Sequence, residues 1–301
     1  MQKYVKLLKK KSLTIFLFHG VINKNPFKIR NHNKKHLLKK DFIKFLDKLK
    51  TKGNCISLDN AYLILKKKKN FEDYSYAITF DDGFYNNFKI AAPILKKRKL
   101  FATFYITTSF IDKNEISWID KIENMIEKEK KIKYINIFNK KFKIKTDQSK
   151  IYFLNFIRFF AKQNKTNLND LVLDIKNQLK YKFRLNNFQN ILDKKMNWTE
   201  IKKLNNCKFF SIGGHSVNHN ILSFLNNSEV RKEINDSINI IKKNLKIKLK
   251  HYSYPEGLKH TYGIREINLL KKKGIKICPS AEFGINNKKS DLFNLKRVFV
   301  N

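Results

Sequence analysis

The sequence predicts an α/β fold built on a parallel sheet or barrel. Short, continuously apolar runs such as residues 13–18 alternate with segments such as 41–52, whose apolar residues recur at helical spacing. A continuously apolar run is typical of a strand buried on both faces, as strands of parallel sheets usually are. Histidine and aspartate residues stand directly after several of these runs. The 301 residues are enough for one large domain of this kind.

The elements of the first part of the chain follow in order. The predicted strands are residues 13–18, 55–58, 76–80 and 101–106. The predicted helices are residues 41–52, 59–65 and 88–97. Gly53 ends the first helix and Asp59 caps the second, as glycine and aspartate commonly do. The resulting alternation of strand and helix favours a parallel sheet.

This alternation stops at about residue 113 and resumes after residue 200. Between Trp118 and Trp198 the chain is rich in Lys, has no Gly or Pro, and is mainly helical in pattern, with an alternating stretch at 132–145. We predict a single domain over residues 1–301 with a helical insertion at about 113–200. The strands predicted after it are residues 209–212, 252–255, 275–278 and 295–300, and the helices are 229–245 and 263–273.

The formal net charge of +40 has two interpretations. A polyanionic partner is one of them. The other is compositional bias, because the basic residues are nearly all Lys, and Asn, Ile and Phe are abundant, as an AT-rich genome produces. Arg is preferred for planar recognition of phosphates and bases, and it is scarce here. We therefore favour bias, expect no specific nucleic-acid partner, and keep attraction to an anionic membrane as a consequence of the charge.

The cysteines and the N-terminus bear on location. Cys55, Cys207 and Cys278 lie far apart and form no CxxC pattern, which suits reduced thiols in the cytoplasm. The basic start is followed by a short apolar run without a small-residue cleavage site, so a first strand is preferred to a signal peptide. No apolar stretch approaches the ~20 residues of a membrane span. We expect a cytoplasmic protein, with peripheral contact at the inner face of the membrane.

Candidate site residues gather after the predicted strands. Asp81 and Asp82 follow residues 76–80, and His215 and His219 follow residues 209–212. Adjacent carboxylates repel each other, and a bound cation would remove that repulsion. One Asp with two His is a donor set that holds a metal while leaving room for water. His19 follows the first strand, and in parallel α/β folds such strand ends meet on one side of the sheet.

Four motifs carry a resemblance to a known family. Residues 79–83 (TFDDG) resemble the first motif of the polysaccharide deacetylases, the NodB homology or carbohydrate esterase family 4. Residues 215–219 (HSVNH) match the metal motif of that family. Residues 254–257 (YPEG) resemble its Arg-x-Pro-x-Gly loop, and residues 101–104 (FATF) are similar to the strand after the first motif.

The resemblance covers about residues 13–112 and 205–300, and it implies a distorted (β/α) barrel with metal-dependent N-deacetylase activity. It assigns Asp82, His215 and His219 to a divalent metal and Asp81 to the general base. Zn²⁺ suits this donor set best, and Co²⁺, Ni²⁺ and Fe²⁺ would also bind. The resemblance also implies that the backbone N–H of Glu256 stabilises an oxyanion. The residues of the substrate loop would be Tyr254, Pro255, Glu256 and Gly257.

The sequence departs from the family at two places. Ser253 stands where the family has the Arg that orients the base, and the late Leu-x-His, whose His protonates the leaving amine, is missing. From their positions at strand ends, we predict that Arg297 replaces the first group and His19 the second.

The resulting interpretation is a hydrolase that removes an N-acetyl group from an amino sugar during cell-envelope polysaccharide biosynthesis. With no export signal recognised, the expected substrate is a lipid-linked or nucleotide-linked saccharide inside the cell. One alternative is an exported deacetylase that acts on peptidoglycan or a chitin-like polymer. Another is a weak or inactive homologue that only binds carbohydrate. Nucleic-acid binding through charge is the third alternative, and the lack of any nucleic-acid motif counts against it.

Overall fold

The centre of the fold is a parallel β-sheet, and the computed structural model describes residues 1–182 and 190–301. The strands are β1 (Leu13–Phe18), β2 (Gly20–Ile22), β3 (His36–Leu38), β4 (Ser75–Phe80), β5 (Ala102–Ile106), β6 (Tyr134–Ile137), β7 (Lys140–Lys143), β8 (Phe210–Gly214), β9 (Pro279–Phe283) and β10 (Leu295–Phe299). The helices are α1 (Gln2–Val5), α2 (Lys39–Lys52), α3 (Leu58–Lys66), α4 (Ala92–Lys97), α5 (Thr108–Asp112), α6 (Trp118–Lys128), α7 (Asp147–Gln163), α8 (Leu168–Gln178), α9 (Trp198–Asn205), α10 (Asn227–Leu245) and α11 (Ile264–Lys272).

Six strands form the main sheet in the order β8-β5-β4-β1-β10-β9, and every neighbouring pair is parallel. Beyond β8, isolated parallel bridges join Gly214 to Tyr252 and His251 to Ile277, which lies just before β9. Among the described residues, the two edges of the sheet are therefore linked only through single bridges, as in an incompletely closed barrel. The predicted α/β fold of the (β/α) barrel type is confirmed.

An aromatic core fixes the strands that lead to the site. Strands β1, β4 and β5 are buried over their whole length. The ring of Phe80 stacks between those of Phe18 and Phe104, with centroid distances of 5.2 and 5.1 Å. Burying each ring stabilises the fold by about 1.5–3 kcal/mol, and the stacked pairs add about 0.5–1.5 kcal/mol each. The core thereby holds in place the residues that follow β1 and β4.

The prediction of regular strands at residues 55–58, 252–255 and 275–278 is wrong. In the described structure each of them contributes a single parallel bridge. These runs are apolar because they are packed beside the sheet, and packing alone does not require a continuous ladder. Helix α3 is capped by Ser57 instead of Asp59, because the Ser57 hydroxyl accepts a backbone N–H at 3.1 Å.

The Lys-rich segment at about 113–200 has a hydrophobic core of its own. It contains α6, the antiparallel hairpin of β6 and β7, α7 and α8. Ile126, Ile135 and Phe153 are among the residues buried between these elements. Residues 183–189, which belong to the predicted insertion, lie outside the described residues. None of the described helices is both long and apolar enough to cross a membrane.

Candidate active site

The carboxyl ends of the central strands meet at a cleft with a volume of about 260 Å³. Asp81 and Asp82 follow β4, His215 follows β8, and His19 follows β1, because parallel strands all end on the same side of the sheet. Helices α6 and α7 of the insertion also contribute residues to the lining of the cleft. The ionisable side chains that line this cleft are His19, Lys35, Asp81, Asp82, Arg158, Lys162, His215, His219 and Glu256.

Asp82, His215 and His219 form a cluster suited to a metal ion. The Asp82 Oδ1 atom lies 3.4 Å from His219 Nε2 and 3.7 Å from His215 Nε2, and the three donor atoms lie within 4.8 Å of one another. Donor atoms about 3.4 Å apart are those expected around a tetrahedral ion with bonds of ~2.0–2.2 Å. The Asp82 Oδ1 atom is buried and accepts no hydrogen bond from any described residue. A cation would satisfy this otherwise costly oxygen, so the donor set fits a divalent metal.

Hydrogen bonds orient the two imidazoles toward Asp82. The Nδ1 atom of His215 lies 2.8 Å from the carbonyl oxygen of Ser253, so it must donate, and the lone pair is left on Nε2. This backbone partner assigns the tautomer that a metal ligand needs. Burial lowers the pKa of His219, despite the opposing influence of Asp82, so its ring stays neutral and able to ligate. The ring of His219 also stacks on Phe110.

The loop that carries the two imidazoles is held in a strained conformation. Ser216 and His219 have φ angles of 63° and 60°, and Asp82 has 71°, in the left-handed region that non-glycine residues rarely adopt. Such strain costs on the order of 1–3 kcal/mol per residue and concentrates at functional sites. Glu233 of α10 holds the loop by accepting the backbone N–H groups of residues 217 and 218, each at 2.9 Å.

Asp81 lies beside the cluster, with its Oδ2 atom 3.8 Å from His215 Nε2, and its carboxylate also contacts Arg297 of β10. Its two carboxylate oxygens accept NH1 and NH2 of Arg297, each at 2.9 Å, in a buried bidentate pair. The same guanidinium donates to the Ser253 hydroxyl at 2.9 Å. Ser253 thus leaves room for a cation that comes from another strand.

The two adjacent carboxyls are both ionised. Burial raises the pKa of Asp81, but Arg297 and then His215 oppose it, and the net pKa is lower than usual. Burial likewise opposes ionisation of Asp82, and Lys35 is the first of the charges that hold its pKa well below the ordinary value. Each Asp therefore has its own cation, and the pair can remain doubly charged despite the mutual repulsion.

Replacing Arg297 by Met is expected to destabilise the protein by about 3–5 kcal/mol at neutral pH, because a buried carboxylate would lose its partner. Since the folded pKa of Asp81 is lowered, the pair contributes stability above pH ~4, and this contribution disappears as pH falls through the lowered pKa. Urea unfolding at neutral and acidic pH measures the difference. The deficit of the variant should shrink in acid as Asp81 becomes protonated.

Arg98→Met is the matched control, because Arg98 pairs with the exposed Asp47. This variant should lose less than about 1 kcal/mol of unfolding free energy. An Arg297→Met deficit that stays constant with pH, or equals that of the control, would contradict this account of the pair.

Lys35 is a site residue that the sequence did not reveal. Its ammonium lies 3.1 Å from Asp82 Oδ2 and 3.2 Å from Asp120 Oδ2, while the Ser117 hydroxyl donates to Asp120 at 2.7 Å. Burial lowers the pKa of Lys35, but Asp120 and Asp82 reverse the effect, and the net pKa is raised. Lys35 thereby holds one oxygen of Asp82 and leaves the other facing the imidazoles. Among so many lysines, no local pattern distinguishes this one.

His19 lines the cleft beside the carboxylates. Its Nδ1 atom is buried without a hydrogen-bond partner among the described residues, and its ring edge packs against Phe299. Burial lowers the pKa of His19 to about 4, so the imidazole is neutral at pH 7. Its position in the cleft fits the predicted role of proton donor to the leaving amine. Its neutral resting state means that it holds no extra proton to donate before turnover.

The predicted substrate loop contributes only one side chain to the cleft. Tyr254 stacks on Tyr262 with centroids 3.8 Å apart and donates its hydroxyl to a carbonyl oxygen at 2.9 Å, so it belongs to the core. Assigning its side chain to the substrate is wrong, since an aromatic residue after a strand can pack inward as well as into a cleft. Pro255 and Gly257 shape the turn. Glu256 lines the cleft and forms an ion pair with Lys162 of α7.

A comparison of the sequence with protein families identifies the class of protein that this fold and site define. The chain belongs to the polysaccharide deacetylase family, because the model described as polysaccharide deacetylase matches residues 68–135 and 165–277, more than half of the chain. The protein is thus a hydrolase of the sugar N-deacetylase type. A search of curated proteins finds no match.

Solved structures share the fold at low sequence identity. The deacetylase PplD of Streptococcus pyogenes, solved with acetate, has 16% identity and a TM-score of 0.62, over 96% of this chain and 92% of that one. IcaB from Ammonifex degensii has 14% identity and a TM-score of 0.62, over 98% and 94%. The de-N-acetylase from Aggregatibacter actinomycetemcomitans has 13% identity and a TM-score of 0.61, over 95% and 94%. At these identities the likeness concerns the fold alone.

Proposed function

We propose that the protein is a metal-dependent hydrolase that removes an N-acetyl group from an amino sugar of a cell-surface saccharide or its precursor. The observation that carries the proposal is the buried Asp82–His215–His219 cluster, with its unsatisfied carboxylate oxygen, directly beside the Asp81–Arg297 pair. The cluster and Asp81 line the cleft of a polysaccharide deacetylase fold.

The metal would be held by Asp82 Oδ1 and by the Nε2 atoms of His215 and His219. Zn²⁺ is the first candidate, and Co²⁺, Ni²⁺ and Fe²⁺ also accept such donors. When bound, the ion supplies Lewis-acid chemistry that activates water and polarises the amide carbonyl. Lys35 keeps Asp82 in place through its second oxygen, and the carbonyl of Ser253 keeps the ring of His215 in place.

Asp81 is the proposed general base. It is ionised at neutral pH, and Arg297 engages one lone pair of each of its oxygens, which leaves a second lone pair free to accept a proton from water. The water oxygen bonds to the acetyl carbon and the C–N bond breaks, which yields acetate and an amine that takes up a proton. The backbone N–H of Glu256 is the proposed donor to the oxyanion.

His19 is the proposed proton donor to the leaving amine. Because burial lowers its pKa to about 4, it would receive its proton during turnover and would not hold it beforehand. Replacing His19 by Gln should therefore lower kcat about 10²–10⁴-fold for a substrate with a poor leaving group. The loss should be much smaller for an N-acetylated amine that leaves without protonation. If kcat is unchanged across pH with both substrates, another group is the donor.

We further propose that the substrate is a lipid-linked or nucleotide-linked saccharide inside the cell. The three cysteines form no disulfide, which is compatible with a reducing compartment. An exported deacetylase remains the alternative, and fractionation of the source cells separates the two.

The direct test of function is stoichiometric release of acetate and free amine. The purified protein, loaded with each divalent cation in turn, would be incubated with N-acetylated amino-sugar oligomers, nucleotide sugars and lipid-linked saccharides. One substrate class should yield equal amounts of acetate and amine in a reaction that chelation stops. Binding of saccharide without any acetate release would favour the inactive carbohydrate-binding homologue.

A further inference from the structure

The insertion carries an exposed aromatic surface beside the cleft. Tyr152 and Phe159 on α7 are 59% and 68% exposed, and Tyr134 on the adjoining hairpin is 48% exposed. Large apolar side chains this exposed are unusual when they cluster on one small unit. We call this surface, together with the hairpin lysines at positions 133, 140, 141, 143 and 145, the insertion face.

The insertion face is strongly basic. Between residues 130 and 165 the sequence has ten Lys and one Arg against a single Asp. The hairpin lysines are exposed or nearly so, and none forms an ion pair with a residue that the structure describes. Lys141 Nζ lies 4.6 Å from the ring centre of Tyr134, and Lys140 Nζ lies 5.1 Å from that of Phe156. Lys141 and Tyr134 share the outer side of the hairpin and Lys140 lies beside Phe156 of α7, so lysines border aromatic rings on both sides of the hairpin.

The insertion face lies next to the cleft because α7 belongs to both. Arg158 and Lys162 line the cleft and are tied there by ion pairs with Glu123 and Glu256. Phe159 lies between them in sequence but faces solvent. The family model matches residues up to 135 and again from 165, so most of this surface is an elaboration outside the matched family core.

We propose that the insertion face docks on the surface of an anionic phospholipid bilayer. Phe159 and Tyr152 would enter the headgroup region, and the hairpin lysines would contact lipid phosphates. An exposed phenylalanine and lysines without an ion pair among the described residues, carried by the same insertion, suit an interface that is apolar on one side and negatively charged on the other. A soluble polyanion would use the lysines without needing Phe159, and a bound sugar would need aromatic rings within the cleft.

This inference goes beyond the deacetylation chemistry and does not depend on it. Docking through α7 would bring the mouth of the cleft close to the bilayer, since the same helix lines the cleft. A substrate anchored in the membrane could then reach Asp81 and Asp82 without leaving the lipid.

Vesicle co-sedimentation of the full-length protein tests the proposal. The probes are vesicles of phosphatidylcholine with phosphatidylglycerol, and vesicles of phosphatidylcholine alone. We expect binding to the anionic vesicles that weakens with salt, and weak binding to the neutral ones. A Tyr152→Ser, Phe159→Ser double variant should bind the anionic vesicles at least ~10-fold more weakly. Its circular dichroism spectrum and urea unfolding midpoint should match those of the wild type, which shows that it folds.

Leu63→Ser is the matched control, because Leu63 is 50% exposed on α3, outside the insertion. It should bind vesicles like the wild type. Exchanging lysines 140, 141 and 143 for Gln should remove most of the salt-dependent part of binding. Three results would overturn the proposal: no binding to anionic vesicles, equal binding by the aromatic double variant, or an equal loss in the Leu63 control. Heparin binding that the aromatic variant retains would assign the lysines to a soluble polyanion.

Discussion

Replacing Asp82 by Asn is expected to abolish stable binding of a divalent metal and to lower kcat/KM for deacetylation by about 10³-fold or more. The physical reason is that Asp82 Oδ1 is the only anionic donor of the cluster, and its lone pairs face the two imidazoles without another partner among the described residues. Loss of Lewis-acid stabilisation worth several kcal/mol corresponds to this factor. Calorimetric titration with Zn²⁺ measures the first effect and acetate release the second.

Asp120→Asn is the matched control for this variant. Asp120 is equally buried and contacts the same Lys35 ammonium, but it is not part of the metal cluster. The control should keep its metal affinity within about 10–100-fold of the wild type, as for other residues that act only through a ligand. If Asp120→Asn loses metal as completely as Asp82→Asn, the general charge of the cleft would explain binding better than ligation does.

Replacing Asp81 by Asn should separate the two effects, with metal retained and turnover lost. The amide keeps the size of the side chain and can still accept one bond from Arg297, but it cannot take a proton from water. We expect kcat to fall about 10²–10⁴-fold, the usual contribution of a general base, with little change in the affinity for Zn²⁺. Single-turnover acetate release at several pH values measures this loss.

Ser253→Ala serves as the control for Asp81→Asn. It removes the other side-chain oxygen that Arg297 contacts at 2.9 Å and leaves the proposed proton acceptor intact. Its kcat should stay within about tenfold of the wild type, because Arg297 keeps both of its bonds to Asp81 and the proton acceptor is unchanged. Comparable losses in both variants would mean that the position of Arg297, and not the basicity of Asp81, limits the reaction.

Local sequence patterns predicted the parts of the fold that local physics decides. Continuous apolar runs identified β1 and β4 because strands buried on both faces must be apolar throughout. The carboxylates after β4 and the imidazoles after β8 were predicted as site residues because the end of each apolar run marks the end of a strand.

Contacts made over long distances in the sequence were harder to predict. Lys35 reaches Asp82 from the segment before β3, and nothing local separates it from the other lysines. Arg297 was singled out by its position near a strand end. Its bidentate contact with Asp81 depends on β1 lying between β4 and β10 in the sheet, an order that the sequence does not contain. Tyr254 was misassigned because its burial depends on Tyr262, which is likewise invisible to a local pattern.

The central claim is that Asp82 holds a metal while Asp81 acts as the base. Metal content and acetate release, measured together on the wild type, Asp82→Asn and Asp81→Asn, test it most directly. The wild type should bind about one divalent ion per chain and be active, as an open three-ligand site implies. Asp82→Asn should lose both properties, and Asp81→Asn should keep the ion and lose activity. An active wild type without metal, or an Asp82→Asn variant with full metal content and activity, would contradict the account.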